Sequence, residues 1–222
     1  MPPRIVETMA ELDRMYLRAH QAIVALLAPS VDASTPVPAT PGWDVHAVVA
    51  HLGAVAEDIL EGRLRSVPSD EETAAQVARA RDRSLAELLE RWAASVPGIQ
   101  ALLAERQIWP LVLDALSHEQ DLRGALGQPG RRDDPDLLVA AESLLRNLSP
   151  GSDLTICTEG PTFTFGDHPE TLILTTTRYE AFRWRLGRRS AAQLAAMDWS
   201  GDPSPVLDSL CTFGPRSTDL VE

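Results

Sequence analysis

The sequence contains no lysine: its 20 basic residues are all arginine, set against 32 Asp and Glu for a formal charge of −12. That balance offers no basic face for a nucleic-acid backbone, and nothing resembles a phosphate loop, so a nucleic-acid role is not expected. Arginine without lysine is the codon usage of a GC-rich genome. Cysteine is almost absent; Cys157 and Cys211 stand far apart and make no disulfide framework. No apolar run approaches the ~18–20 residues of a membrane span. The stretch Met1-Pro2-Pro3-Arg4-Ile5-Val6-Glu7 has neither the apolar core nor the small-residue cleavage site of a signal peptide. A cytoplasmic protein without membrane contact is the expectation.

What is present is a chain of 222 residues, long enough to bury one large core or two small ones. Its focal stretch is Asp114-Ala-Leu-Ser-His118, inside the apolar, glycine-free run Ile108–His118 that reads as a helix. Residues four apart lie one above the other on a helix face. A carboxylate and an imidazole are therefore presented side by side, at the spacing with which two side chains of one helix grip a metal ion. A third ligand must come from elsewhere, and His51, in Val48-Val49-Ala50-His51-Leu52, is the candidate. A lone histidine on an apolar face is ordinarily a packed core residue; the facing pair is what makes His51 a ligand candidate.

Taken in order, residues 4–28 carry an apolar stripe at threes and fours (Ile5, Met9, Leu12, Tyr16, Ala19, Ile23, Leu26) and are expected to form a first helix ended by Ala28-Pro29. His20 near that stripe reads as packed or half exposed, not as a ligand. A proline-rich connection follows, with Pro29, Pro36, Pro38 and Pro41. Asp44 is a plausible N-cap for a second helix to about Arg65, with Val48, His51, Leu52, Val55, Ile59 and Leu60 inward. Residues 66–73 break the pattern, and a third helix is expected over 74–94. Pro97-Gly98 interrupts, a short helical piece follows, and the central helix runs from about Gln107 to Leu126, with Pro110 in its first turn and Gly127 at its stop. Residues 135–148 give another amphipathic helix. After Ser149-Pro150-Gly151-Ser152 the text turns β-rich: Leu154–Thr158, Thr162–Phe165 and Leu172–Thr176. Helical pieces return at Tyr179–Leu186, Ser190–Met197 and Pro205–Phe213. The expected fold is thus α+β overall, with a helical bundle over 1–150 and a small α+β domain over 151–222.

This layout resembles the DinB/YfiT-like metal-binding four-helix bundle, and more narrowly the mycothiol-dependent maleylpyruvate isomerase family. Pro41-Gly42-Trp43-Asp44-Val45 with Val49-Ala50-His51-Leu52 is similar to that family's "PGW-x-V…V-x-HL". Asp114-Ala-Leu-Ser-His118-Glu-Gln-Asp121, then Ala125-Leu126-Gly127, is similar to its "D/E-x-x-x-H-x-x-D…ALG". Gly187-Arg188-Arg189-Ser190, then Trp199-Ser200-Gly201-Asp202, is similar to its "GR-x-S…W-x-GD". The resemblance covers nearly the whole chain. It implies His51, Asp114 and His118 as metal ligands and an arginine of the second domain in catalysis. Arg188 matches best, with Arg183, Arg185 and Arg189 close by. The family's characterised isomerase carries Glu where this chain has Asp114, so the carboxylate here reaches one methylene less far. A monomer or weak dimer is also implied.

Two neutral imidazoles and one carboxylate around a divalent ion leave a net charge of +1 and an open position, the arrangement of catalytic zinc. Zinc is the first expectation, with nickel or iron open. Such a site lowers the pKa of water or turns a bound thiol into thiolate, a nucleophile for an electrophile. The resemblance makes that thiol mycothiol and its partner a small electrophilic molecule, in an isomerase or S-transferase. Asp121, on the same face as Asp114, either orients His118 or caps an exposed turn. The same residues also admit a metal- or small-molecule-binding protein without turnover, and a plain bundle with His51 and His118 in its core.

Overall fold

A computed structural model describes residues 5–27, 31–167 and 172–222, in two compact units, 1–129 and 130–222. The first is built from α1 (Ile5–Leu26), α2 (Val45–Leu60), α3 (Asp70–Ala80), α4 (Leu85–Glu105) and α5 (Trp109–Ala125). Helices α1 and α2 both pack against α4 and α5, which makes a four-helix bundle, and α3 lies against α2. The expected stop of α1 at Ala28-Pro29 lies outside the described residues.

The core of the bundle is closed by Trp92 of α4, wholly buried, whose indole donates to Tyr16 Oη of α1 over 2.8 Å. His20, one turn further along α1, meets the Trp92 ring edge-on at 4.6 Å and is buried, as a packed residue would be. Asp44 caps α2 as expected, accepting from Ala47 N at 2.8 Å. That cap sets the helix phase that turns His51 inward.

Between α2 and α5 the structure departs from the pattern. The helix expected over 74–94 is two helices, because two capping boxes, Ser69 with Glu72 and Ser84 with Glu87, each start one. The acidic run Asp70-Glu71-Glu72, expected to break structure, is the first turn of α3, where carboxylates complement the helix dipole. Pro97-Gly98 does not interrupt either: α4 runs through it. The helix forgoes the hydrogen bond that proline cannot donate, and packing on both sides holds it. At Gly98 a Cβ would stand 2.9 Å from a methyl of Leu60 at the end of α2, an exposed side chain that would have to turn aside.

The second unit contains α6 (Pro135–Arg146), β1 (Leu154–Cys157), β2 (Thr162–Phe165), β3 (Leu172–Thr175), α7 (Arg178–Arg185), α8 (Ala191–Ala195), β4 (Asp198–Trp199) and α9 (Leu207–Leu210). The sheet order is β2-β1-β3-β4, with β1 parallel to β3 and its other pairings antiparallel. Helix α6, placed with the bundle by the break at residue 150, sits in this unit and packs on α7. Its Leu145, with Leu148, Leu154, Ile156, Leu174 and Trp184, forms the second core. The architecture is α+β, a helical bundle followed by a small mixed domain.

Trp92→Ala should lower the unfolding free energy by ~3–5 kcal/mol, the range for emptying a large aromatic site. Val139→Ala on the outside of α6, 39% exposed, should stay within ~0.5 kcal/mol of wild type. Urea unfolding followed by circular dichroism reads both.

Candidate metal centre

Helix α2 delivers His51 and helix α5 delivers Asp114 and His118. Because α5 is buried on most sides, its polar residues face the interior: His118, Glu119, Gln120 and Asp121 are all buried. The three sequence-predicted residues come together. His51 Nε2 lies 3.4 Å from Asp114 Oδ2, and His118 Nε2 lies 3.4 Å from Asp114 Oδ1. The two imidazole rings meet edge-on with centroids 5.5 Å apart. One ligand atom from each residue falls within 4.8 Å of the others, the one such group of three His, Cys, Asp or Glu side chains among the described residues. A spacing of 3.4 Å is about the donor–donor edge of a tetrahedral ion whose bonds are ~2.0–2.1 Å. The donor set, two imidazoles and a carboxylate, fits a divalent ion.

The outer ring nitrogens are engaged. His118 Nδ1 is 3.0 Å from Asp121 Oδ2, and Asp121 is 1% exposed, so it faces the histidine rather than capping an exposed turn. His51 Nδ1 is 3.1 Å from Gln76 Oε1, on α3. Trp43, in the connection before α2, stacks near-parallel on His118 at 6.1 Å and tilts over His51 at 5.2 Å. Gln76 and Trp43 were not legible as site residues. The only signal was that Trp43 stands in the Pro41-Gly42-Trp43 motif.

The electrostatics are those of a half-buried anion between two buried rings. Burial pushes the Asp114 carboxyl up, but His51 and then His118 outweigh it and hold it well below the usual carboxylate range. Burial pushes His118 down, and the Asp114 and Asp121 carboxylates more than offset this, carrying it up to about 9. Tyr16 is the nearby phenol: burial pushes it up, and the Asp114 charge adds to the shift. It therefore stays protonated.

His46 is not part of the centre; its Nε2 lies 2.8 Å from the Arg83 carbonyl oxygen. In the second unit, Arg188 is half-buried and donates Nη1 to the Leu186 carbonyl at 2.8 Å. Its neighbours are committed to structure. Arg183, wholly buried, pairs with Glu222 at 2.9 Å. Arg189 pairs with Glu180 and Glu222, both at 2.8 Å. Arg185 donates to the Leu144 and Leu210 carbonyls. No described helix is long and apolar enough to cross a membrane.

Comparison with known proteins gives one family and two related structures. Residues 16–123 match the family described as the mycothiol maleylpyruvate isomerase N-terminal domain. A crystal structure of the mycothiol-dependent maleylpyruvate isomerase is similar at 15% identity, over 85% of this chain and 90% of that one, with a TM-score of 0.57. A histidine-to-alanine mutant of that enzyme is similar at 14% identity, over 84% of this chain and 90% of that one, with a TM-score of 0.56. At these identities the likeness is one of fold. No curated protein matches the chain.

The raised His118 gives a signed pH dependence for the metal-free protein. A histidine whose folded pKa lies above its unfolded value of about 6.5 stabilises fully below that value, and the contribution is lost as pH rises through about 9. Chelator-treated protein should therefore melt at progressively lower temperature between about pH 6.5 and 9. His118→Gln should remove that slope; an unchanged slope in the variant would contradict the assignment.

Proposed function

We propose, from the match of residues 16–123 to the mycothiol maleylpyruvate isomerase N-terminal domain family, that the protein is a divalent-metal-dependent, mycothiol-dependent isomerase or S-transferase for a small electrophilic substrate. The observation that carries this reading is the convergence of His51 Nε2, the Asp114 carboxylate and His118 Nε2 on one point, with the outer nitrogens of both rings engaged elsewhere.

His51, Asp114 and His118 are the proposed metal ligands, with zinc the first choice for this donor set and nickel or iron the alternatives. A divalent ion held there supplies Lewis-acid charge and lowers the pKa of a thiol in its open position. The chain's own residues do the rest. Asp114 supplies the one negative charge among the ligands, and so leaves the centre cationic and attractive to an anionic sulfur. The Asp121 carboxylate, paired with His118 Nδ1 at 3.0 Å, stands behind that ring. Trp43 covers both imidazoles with an apolar face and keeps water from that side. Arg188 is the proposed catalytic arginine, for a carboxylate or other anionic group of the substrate. It is chosen because Gly187-Arg188 is the best match to the family's arginine motif.

Elemental mass spectrometry should find about one metal per chain in the wild type. His118→Ala and Asp114→Ala, folded by circular dichroism, should have none. Loaded protein should turn over members of a panel of small electrophiles only when mycothiol is added. Arg188→Ala should lower kcat/KM about 10²–10³-fold, the scale for removing one charge-stabilising donor, with metal content unchanged. Wild type that takes up neither zinc nor nickel would sink the proposal. Metal and thiol binding with no turnover would leave a binding protein instead.

A further inference from the structure

Helix α3 is short and mostly exposed, and its buried residues are Gln76 and Ala80. A helix whose largest buried side chain is a glutamine, 1% exposed, is not held there by apolar packing. The amide is instead spanned between two partners. Its Oε1 lies 3.1 Å from His51 Nδ1, and its Nε2 donates to Asp58 Oδ2 over 3.0 Å. Asp58, on α2, is 5% exposed. It also accepts from Arg79 Nη2 at 2.8 and 2.9 Å and from Arg63 Nε at 2.8 Å.

These contacts leave one consistent placement of protons. An ionised carboxylate only accepts hydrogen bonds. Burial pushes Asp58 up, but the bonds from Arg79, Gln76 and Arg63 outweigh it and hold it below the usual range. Gln76 must therefore turn its NH2 to Asp58; the flipped amide would set oxygen against oxygen. Its carbonyl oxygen is then fixed towards His51, and it can only accept. His51 Nδ1 must carry a hydrogen, in the neutral and in the charged ring alike. The nitrogen that holds a lone pair in the neutral ring is Nε2, the one facing Asp114.

We propose that Gln76 is a positioning residue: its amide, oriented by Asp58 and the two arginines behind it, locks His51 in the Nδ1–H tautomer and so presents the Nε2 lone pair to the metal. The purpose of the lock rests on the metal-centre reading above; the lock itself does not, because it exists in the metal-free protein. Asp58 and Arg79 act one step further out, and α3 exists to bring Gln76 and Arg79 to α2.

The test separates the lock from mere packing by two variants whose rank orders cross. Gln76→Leu keeps the size and removes the acceptor. Gln76→Glu keeps an acceptor beside His51 and places a second carboxylate against Asp58, so it should be the less stable of the two by thermal melting. Long-range 1H–15N spectra of 15N-histidine-labelled, metal-free protein read the tautomer directly. Wild type and Gln76→Glu should show His51 as Nδ1–H, and Gln76→Leu should show a mixture. The His118 signals should stay in place in all three. Zinc affinity, measured against a chelator, should fall about 10–100-fold in Gln76→Leu and less in Gln76→Glu. A neutral wild-type His51 with its proton on Nε2 and none on Nδ1 would overturn the proposal without any variant. So would affinities that follow the melting order, with the glutamate variant weakest. If the wild type binds no metal, the metal-centre reading fails alone, and the tautomer spectra still decide the role of Gln76.

Discussion

The Asp114 carboxylate, set between two imidazoles, is the interaction on which the first unit depends. One half-buried anion 3.4 Å from each ring is tolerable only because the rings can share its charge or hold a cation with it. This requires α2 and α5 to present their polar residues inward at the same level. A bundle built for stability alone would place leucines there. The remaining apolar packing, with Trp92 and Tyr16 at its centre, holds the two helices in that register.

Each histidine of the proposed ligand set has an oxygen beside its far nitrogen, but the two neighbours differ in kind. Asp121 is a charged neighbour one turn along the same helix, so it is cheap in chain and raises the basicity of His118. Gln76 is a neutral amide from a separate helix, oriented by a charge a further step away. One ring is tuned by charge and the other by direction, which keeps the centre from collecting a surplus of negative groups. Trp43 closes over both rings from the connection before α2. A proline-rich loop thus contributes the apolar face that the helices do not supply.

The central pair was legible because an i, i+4 spacing of Asp114 and His118 has meaning on any helix, and His51 because it interrupts an otherwise apolar stripe. Gln76 was not legible. Asp70–Ala80 mixes six polar residues with four alanines and one valine, and nothing in that pattern marks its glutamine as buried; only the fold brings it to His51. The break at Arg81–Ser84 was missed because Val77 and the apolar residues from Leu85 to Trp92 could be placed on one helix face, whereas the Ser84 capping box starts a new helix. Pro97 was read as a stop and is carried inside α4, since tertiary packing overrides a single missing hydrogen bond. The strands were visible as β-branched runs, except for β4, whose two residues are too few to make a pattern. The grouping of α6 with the second unit could not be read from periodicity, which reports that a helix has an apolar face but not which partner covers it.

The most direct measurement is X-ray absorption at the edge of the bound metal, recorded on loaded protein before and after addition of mycothiol. The account predicts two imidazole ligands and carboxylate oxygen at the start. A sulfur neighbour at about 2.3 Å, the zinc–thiolate distance, should appear with the thiol. A first shell without histidine, or a shell that mycothiol leaves unchanged, would contradict it.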